Sequence, residues 1–137
     1  GFTKSNKDWI TLQGTEHRNN WLHVSLDILQ KHPDKIRLIK YLNNQVRRLK
    51  LEDEFKKAIQ QQNIVYGKHN FLRPIDDVMI RDSTIIMELW MQLIDDKDYW
   101  KTLLISNTNT VTPIMRAFEN NSSNVLQLCF NFINDIE

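Results

Sequence analysis

TPIMRAFENNSSNVLQLCFNFIND runs from Thr112 to Asp135, and RPIDDVMIRDSTIIMELWMQLIDD runs from Arg73 to Asp96, 39 residues earlier. Laid on each other without gaps, Pro74 meets Pro113, Ile75 meets Ile114, Ser83 meets Ser122, Leu89 meets Leu128 and Asp96 meets Asp135. The apolar positions agree more widely than the identities do. Ile75, Val78 and Met79 fall on Ile114, Ala117 and Phe118, and the i, i+3, i+4 spacing draws one face of a short helix. Ile86, Leu89, Trp90, Leu93 and Ile94 fall on Val125, Leu128, Cys129, Phe132 and Ile133, the stripe of a second helix. A proline opens the first helix of each copy, where its missing N–H leaves no bond unmade. Thr112 before it is a good N-cap, whereas Arg73 is not. Asp82-Ser83-Thr84 in one copy and Asn121-Ser122-Ser123 in the other divide the helices with side chains that cap a new one. Each stretch predicts helix, tight turn, antiparallel helix.

A third copy is expected over Asn20–Asn44, NWLHVSLDILQKHPDKIRLIKYLNN, with an insertion around Lys31–Pro33. Leu22 and Leu26 share a face of its first helix; Ile36, Ile39 and Leu42 mark its second. Between the copies, Val46, Leu49, Phe55, Ala58 and Ile59 fit either another degenerate pair or one long helix. A lone hairpin cannot cover its own apolar face, so neighbouring units must cover one another. The fold expected is all-α, stacked antiparallel helical hairpins forming an α-solenoid, with a compact helical bundle as the alternative. Residues 20–137 are read as one helical-repeat domain and residues 1–19 as a flexible or docking arm.

Bulk composition agrees. At 137 residues, 41% hydrophobic and 26% charged, the chain suits a folded domain. Three glycines and three prolines are too few for many strand-bounding turns, and no run alternates with period two. A net charge of +1 argues against a bulk electrostatic grip on nucleic acid or on an acidic membrane, though a local patch can still bind phosphate. One cysteine, Cys129, cannot make an internal disulfide, which points to a reducing, intracellular and cytoplasmic setting. No apolar run approaches the ~20 residues of a membrane helix. A chain that opens on Gly1 in place of Met reads as a piece cut from something longer.

Thr112-Pro113-Ile114-Met115-Arg116-Ala117, followed by Val125-Leu126-Gln127-Leu128-Cys129-Phe130, resembles the ankyrin repeat, whose signature T-P-L-H-x-A precedes a second helix of the type I-V-x-L-L-L. Asn107 stands near the usual turn aspartate, and Trp21-Leu22-His23-Val24-Ser25 is a blurred P-L-H-x-A. The resemblance is best over 107–133 and weaker over 73–96 and 20–43. It departs in period, 39 residues against 33, the extra length falling in Asp96–Thr110. Met115 and Asp76 stand where the motif has histidine, and the helix-joining glycines are missing, Asn121 taking that place in the last copy. The resemblance implies recognition of another protein through loops and inner helices, with no cofactor and no chemistry.

Catalytic and metal signatures are absent from the sequence. His17, His23, His32 and His69 include no i, i+4 pair, so no zinc motif forms. No nucleophile elbow and no glycine-rich phosphate loop occur. Cys129 lies in an apolar stripe and predicts a buried, inert thiol. Asp76-Asp77 and Asp95-Asp96 are adjacent pairs whose members point about 100° apart on a helix, so they read as caps in a helix's opening turn and at a helix end. The expected partner-binding zone is the Asp96–Thr110 finger with Tyr99 and Trp100, exposed aromatics being good contact anchors, together with Asp76, Asp77, Met115 and Arg116 on the inner helices. Packing of Trp100 with Leu103, Leu104 and Ile105 as a roof is the competing reading. The alternative function is a small helical nucleic-acid binder using Arg47, Arg48, Lys50, Lys56 and Lys57, a basic run interrupted by Glu52, Asp53 and Glu54.

Overall fold

The computed structural model describes residues 7–64, 71–108 and 110–134. Among them every long element is helical, and the only β pairing is an isolated bridge between Thr108 and Val111. The chain divides into two compact units, Gly1–Pro74 and Ile75–Glu137, a boundary that falls inside the span 20–137 read from sequence as one domain.

The first unit holds α1 (Trp21–Lys31), a 3-10 turn (Pro33–Lys35), α2 (Ile36–Arg48) and α3 (Glu52–Ala58). Asn20 starts α1 by accepting from the backbone N–H of Leu22 and His23, which satisfies two of the donors a helix start leaves open. Its amide also donates to Ala58 O at 2.7 Å and Gln61 Oε1 at 2.8 Å, tying the start of α1 to the end of α3. His23 completes the cap. Its Nδ1 accepts from Asn20 N at 3.0 Å, so the proton sits on Nε2, which faces Leu72 O at 2.9 Å. The unit's core is Leu22, Leu26, Ile39, Val46, Leu51 and Phe55, all buried. Of the expected arm, residues 7–19 are docked. Ile10 is buried, Trp9 lies 5.3 Å from the Trp21 ring, and Lys7 pairs with Glu54 at 3.2 Å.

The second unit holds α4 (Pro74–Ile80, its first residue at the boundary), α5 (Thr84–Leu93), α6 (Lys97–Leu104), α7 (Pro113–Glu119) and α8 (Ser123–Asn134). The helices of both quoted stretches thus lie where the periodicity places them, and Thr112 caps α7 by accepting from Met115 N at 3.2 Å. The turns inside the two stretches are the same turn. Asp82 has φ 53° and Asn121 has φ 55°. Ser83 N donates to Val78 O and Ser122 N to Ala117 O; Asp82 N donates to Met79 O and Asn121 N to Phe118 O. These paired bonds make a Schellman motif, which needs a left-handed residue after the helix. Glycine is usual there, and Asp and Asn are the side chains that tolerate it best.

The same motif occurs once more. Lys50 has φ 56°, with Lys50 N donating to Arg47 O and Leu51 N to Val46 O. It joins α2 to α3, so the segment around Val46–Ile59 is a helix pair and not one long helix. The turn between α1 and α2, by contrast, is 3-10, so the copy expected over Asn20–Asn44 lacks the turn of the other two. The helix pair that carries it lies one helix further along. The Val46, Val78 and Ala117 positions, which supply the carbonyl to each motif, are all buried.

Asp96 does not close a helix into a loop, as the sequence had implied. It caps a new one by accepting from Tyr99 N at 3.1 Å, and the Asp96–Thr110 insertion contains α6. Ser83, expected to cap α5, makes no side-chain cap bond.

Candidate functional site

Two helix faces in the first unit line one groove. On α1 the lining residues are Trp21, Val24, Ser25 and Ile28; from Lys35 into α2 they are Lys35, Leu38, Ile39 and Leu42. Each set follows i, i+3, i+4, i+7, the spacing of a single helix face. The groove holds about 260 Å³, below the ~300–1,000 Å³ of pockets that enclose a drug-sized ligand. Its walls offer little to hydrogen-bond. The Ser25 hydroxyl is spent on Trp21 O at 2.7 Å, leaving hydrocarbon and one aromatic face.

The rim is apolar and then basic. Leu38 is 55% exposed and Tyr41 51% exposed, and Val24 is also exposed. At 100° per residue, Arg37 and Arg48 follow Tyr41 around α2 on the side away from the core. Lys35 and Arg37 have no acidic partner among the described residues, and both are exposed. On the α1 side, Lys31 pairs with Asp27 at 3.1 Å, and the exposed Asp34 stands next to Lys35, so cations outnumber carboxylates along this rim. The site is therefore a shallow hydrocarbon groove bordered by surplus positive charge, with no nucleophile and no converging carboxylates.

The residues predicted from sequence lie elsewhere. Trp100 is wholly buried, and its indole N–H donates to Ile94 O at 2.6 Å. Tyr99 is half-buried, its ring edge-on to Trp100 at 5.2 Å. The exposure expected of this pair is not found, because α6 turns its i, i+3, i+4 residues Trp100, Leu103 and Leu104 into the core. Asp76 is wholly buried and Asp77 nearly so. Asp77 Oδ1 accepts from Arg81 Nε at 3.0 Å, as a buried carboxylate must be paired to be tolerated. Neither aspartate offers a contact surface. Met115 is exposed and Arg116 half-buried.

Arg47, Arg48, Lys50 and Lys57 are exposed around the α2–α3 turn, with Lys56 half-buried. Arg47 and Arg48 donate back to Asn44 and Gln45 of their own helix, and Glu52, Asp53 and Glu54 fill the first turn of α3 between them and Lys56. Mixed signs dilute this patch. His69 lies outside the described residues. Burial pushes the Cys129 thiol up to about 12, so it stays protonated and unreactive.

The single α1 stripe of Leu22 with Leu26 does not reveal the groove. Trp21, Val24 and Ile28 make a second apolar face beside it, more than one neighbouring helix can cover. That surplus was the available signal. No family model, no curated protein and no solved structure matches this chain. No helix among the described residues is long and apolar enough to cross a membrane.

Proposed function

We propose that this chain is a non-enzymatic protein-interaction module, a divergent ankyrin-like helical-repeat scaffold working in the cytoplasm, whose α1–α2 groove takes an amphipathic helix from a partner protein. The observation that carries the reading is the groove itself. Two apolar helix faces border it and nothing in the chain's described residues fills it. Helix-in-groove recognition uses anchors at i, i+3 or i+4 and i+7 on the incoming helix, and an open 260 Å³ trough suits such side chains better than a cofactor. The unpaired Lys35 and Arg37, with Arg48 beyond, favour acidic residues flanking those anchors, since complementary charge selects partners and speeds their encounter.

Three observations support the repeat part of the reading. The Schellman turn recurs at Lys50, Asp82 and Asn121. The first interval, 32 residues, lies beside the ankyrin period of 33, and the second is lengthened by the insertion that carries α6. Asp82 and Asn121 hold left-handed positions where the family has glycine. The cytoplasmic setting rests on the single, buried thiol.

The test uses two labelled amphipathic helical peptides with the same apolar face, one flanked by Glu and one by Lys. Fluorescence anisotropy should show the Glu peptide binding, and Leu38→Asp should weaken it at least tenfold, the loss of about 1.4 kcal/mol or more. Failure of both peptides to bind overturns the groove reading. Equal binding of both removes its charge argument. A labelled nucleic-acid duplex that binds with a steep loss in moderate salt, and keeps binding in Leu38→Asp, would favour the patch at Arg47, Arg48, Lys50, Lys56 and Lys57 instead.

A further inference from the structure

The cations of this chain are unevenly spread. Between Asp34 and Glu52 stand six of its 18 Lys and Arg residues, Lys35, Arg37, Lys40, Arg47, Arg48 and Lys50, and no carboxylate. The remaining Lys and Arg are set against all 17 acidic residues. A chain of net charge +1 is thus strongly basic along one helix, and all six of these cations are exposed.

On α2 they are ordered. At 100° per residue, Arg37, Tyr41, Asn44 and Arg48 lie within about 60° of one another, opposite the buried Ile39 and Val46. At 1.5 Å of rise per residue they make a row about 16 Å long, with Lys40 and Arg47 flanking it on one side. Lys35, Arg37, Lys40 and Arg47 have no acidic partner among the described residues. Arg47 donates to Asn44 Oδ1 at 3.3 Å, and Arg48 to Gln45 Oε1 at 2.8 Å. Both amides turn their oxygens to a guanidinium, so their NH2 groups add to the donors of the face. The row is a run of donors around one aromatic ring, Tyr41, which is 51% exposed.

Three features select the occupant. Cations and donors without carboxylates match a polyanion rich in acceptor oxygens, as a phosphodiester strand is. A helix that lies in a lipid surface buries its apolar face there, and the apolar face of α2 is already turned to the core. An exposed ring between cations is a stacking platform for an unpaired base, whereas an acidic peptide has no flat face to set on it and a duplex keeps its base faces inside its own stack. We infer that the outward row of α2 binds single-stranded nucleic acid, Arg37, Lys40, Arg47 and Arg48 holding phosphates while Tyr41 stacks on a base. The inference goes beyond the groove reading. It uses the side of α2 turned away from the core, shares only Arg37 and Arg48 with the groove rim, and stands or falls without it.

The experiment is fluorescence anisotropy of the full chain with a labelled oligouridine of about 15 nucleotides, between about 50 and about 200 mM salt. The expected result is binding whose log K falls with log salt at a slope of about −3, the value for four neutralised phosphates at about −0.7 each. Arg37→Ala and Lys40→Ala should each make the slope shallower by about 0.7. Tyr41→Ala should weaken binding at least fivefold at an unchanged slope, and Tyr41→Phe should restore it. These positions are exposed, so the circular dichroism spectrum should stay that of the parent. Charge density alone favours a duplex, so weaker binding of a duplex of the same length reports the stacked ring. No binding of the strand below about 100 µM overturns the inference. So does a duplex bound as tightly, or a neutral Tyr41→Ala. Polyglutamate or phosphatidylserine vesicles that displace the label as well as unlabelled oligouridine does would overturn the choice of nucleic acid. Loss of binding in Val24→Asp would move the strand into the groove and overturn the site.

Discussion

Asp82 joins the two hairpins of the second unit, and its substitution tests both the joint and the repeat. Its carboxylate accepts from Val125 N at 2.7 Å and Asn124 Nδ2 at 3.0 Å. The Val125 N–H lies in the first turn of α8, where no intrahelical acceptor exists. The N-cap of α8 is therefore supplied from the turn of the other hairpin. Losing such a cap costs about 0.5–2 kcal/mol, and a charged acceptor places it toward the upper end. Asp82 also holds φ at 53°, which costs an ordinary L-residue about 1–2 kcal/mol. Asp82→Ala incurs both losses, so it should destabilise by about 2–4 kcal/mol. Asp82→Gly loses only the cap and should destabilise by about 1–2 kcal/mol. Asp82→Asn keeps one acceptor and the left-handed tolerance and should lose under about 1 kcal/mol. The assay is urea unfolding followed by circular dichroism at 222 nm, with m unchanged between variants. The order Ala, Gly, Asn from worst to mildest is the signature. Losses below about 0.5 kcal/mol for all three would refute the cap, and Gly worse than Ala would refute the left-handed turn.

Trp100→Ala should cost about 3–5 kcal/mol as a core truncation, and Trp100→Phe about 1–3 kcal/mol for the stranded Ile94 carbonyl; a parent-like denaturation midpoint for Trp100→Ala would put the ring on the surface. Asn20→Ala removes the α1 cap and the amide bonds to Ala58 O and Gln61 Oε1, Ala58 O keeping the Gln61 N–H, a loss of about 1–3 kcal/mol that the same urea experiment checks. Folded Cys129, its thiol pushed up to about 12 by burial, should react with a disulfide reagent at pH 8 only at the rate of opening, so prompt stoichiometric labelling would contradict its burial. The sign of its pH effect follows, because the folded state holds this proton more tightly than the unfolded state. Its contribution is intact below about pH 9 and is lost as pH rises toward 12; thermal melts of the parent compared with Cys129→Ala should show the parent losing the extra stability over that window.

Local chemistry was legible where it decides structure within a few residues. Pro74 and Pro113 start helices, Thr112 caps one, and the apolar spacings locate α4, α5, α7 and α8, because each of these effects acts over one or two turns of chain. The Asp82–Ser83 and Asn121–Ser122 breaks were visible for the same reason. What those side chains do was not. Asp82 caps a helix about forty residues further on, and Ser83, next to it, caps nothing. Trp100 reads as an exposed anchor because it stands beside Tyr99 in an insertion that reads as a finger, yet α6 rotates it onto the core, where its N–H meets Ile94 O. Asp76 and Asp77 read as caps because Asp is usually solvated, but α4 is buried all round from Pro74 to Met79 and Arg81 answers Asp77. The groove depends on α1 and α2 leaving a second apolar face apart, and Phe118 and Phe130 stay exposed where the matching Met79 and Met91 are buried. Periodicity determines which residues share a side of a helix; only the tertiary structure decides which of those sides is covered, because coverage is set by contacts between segments far apart in the chain.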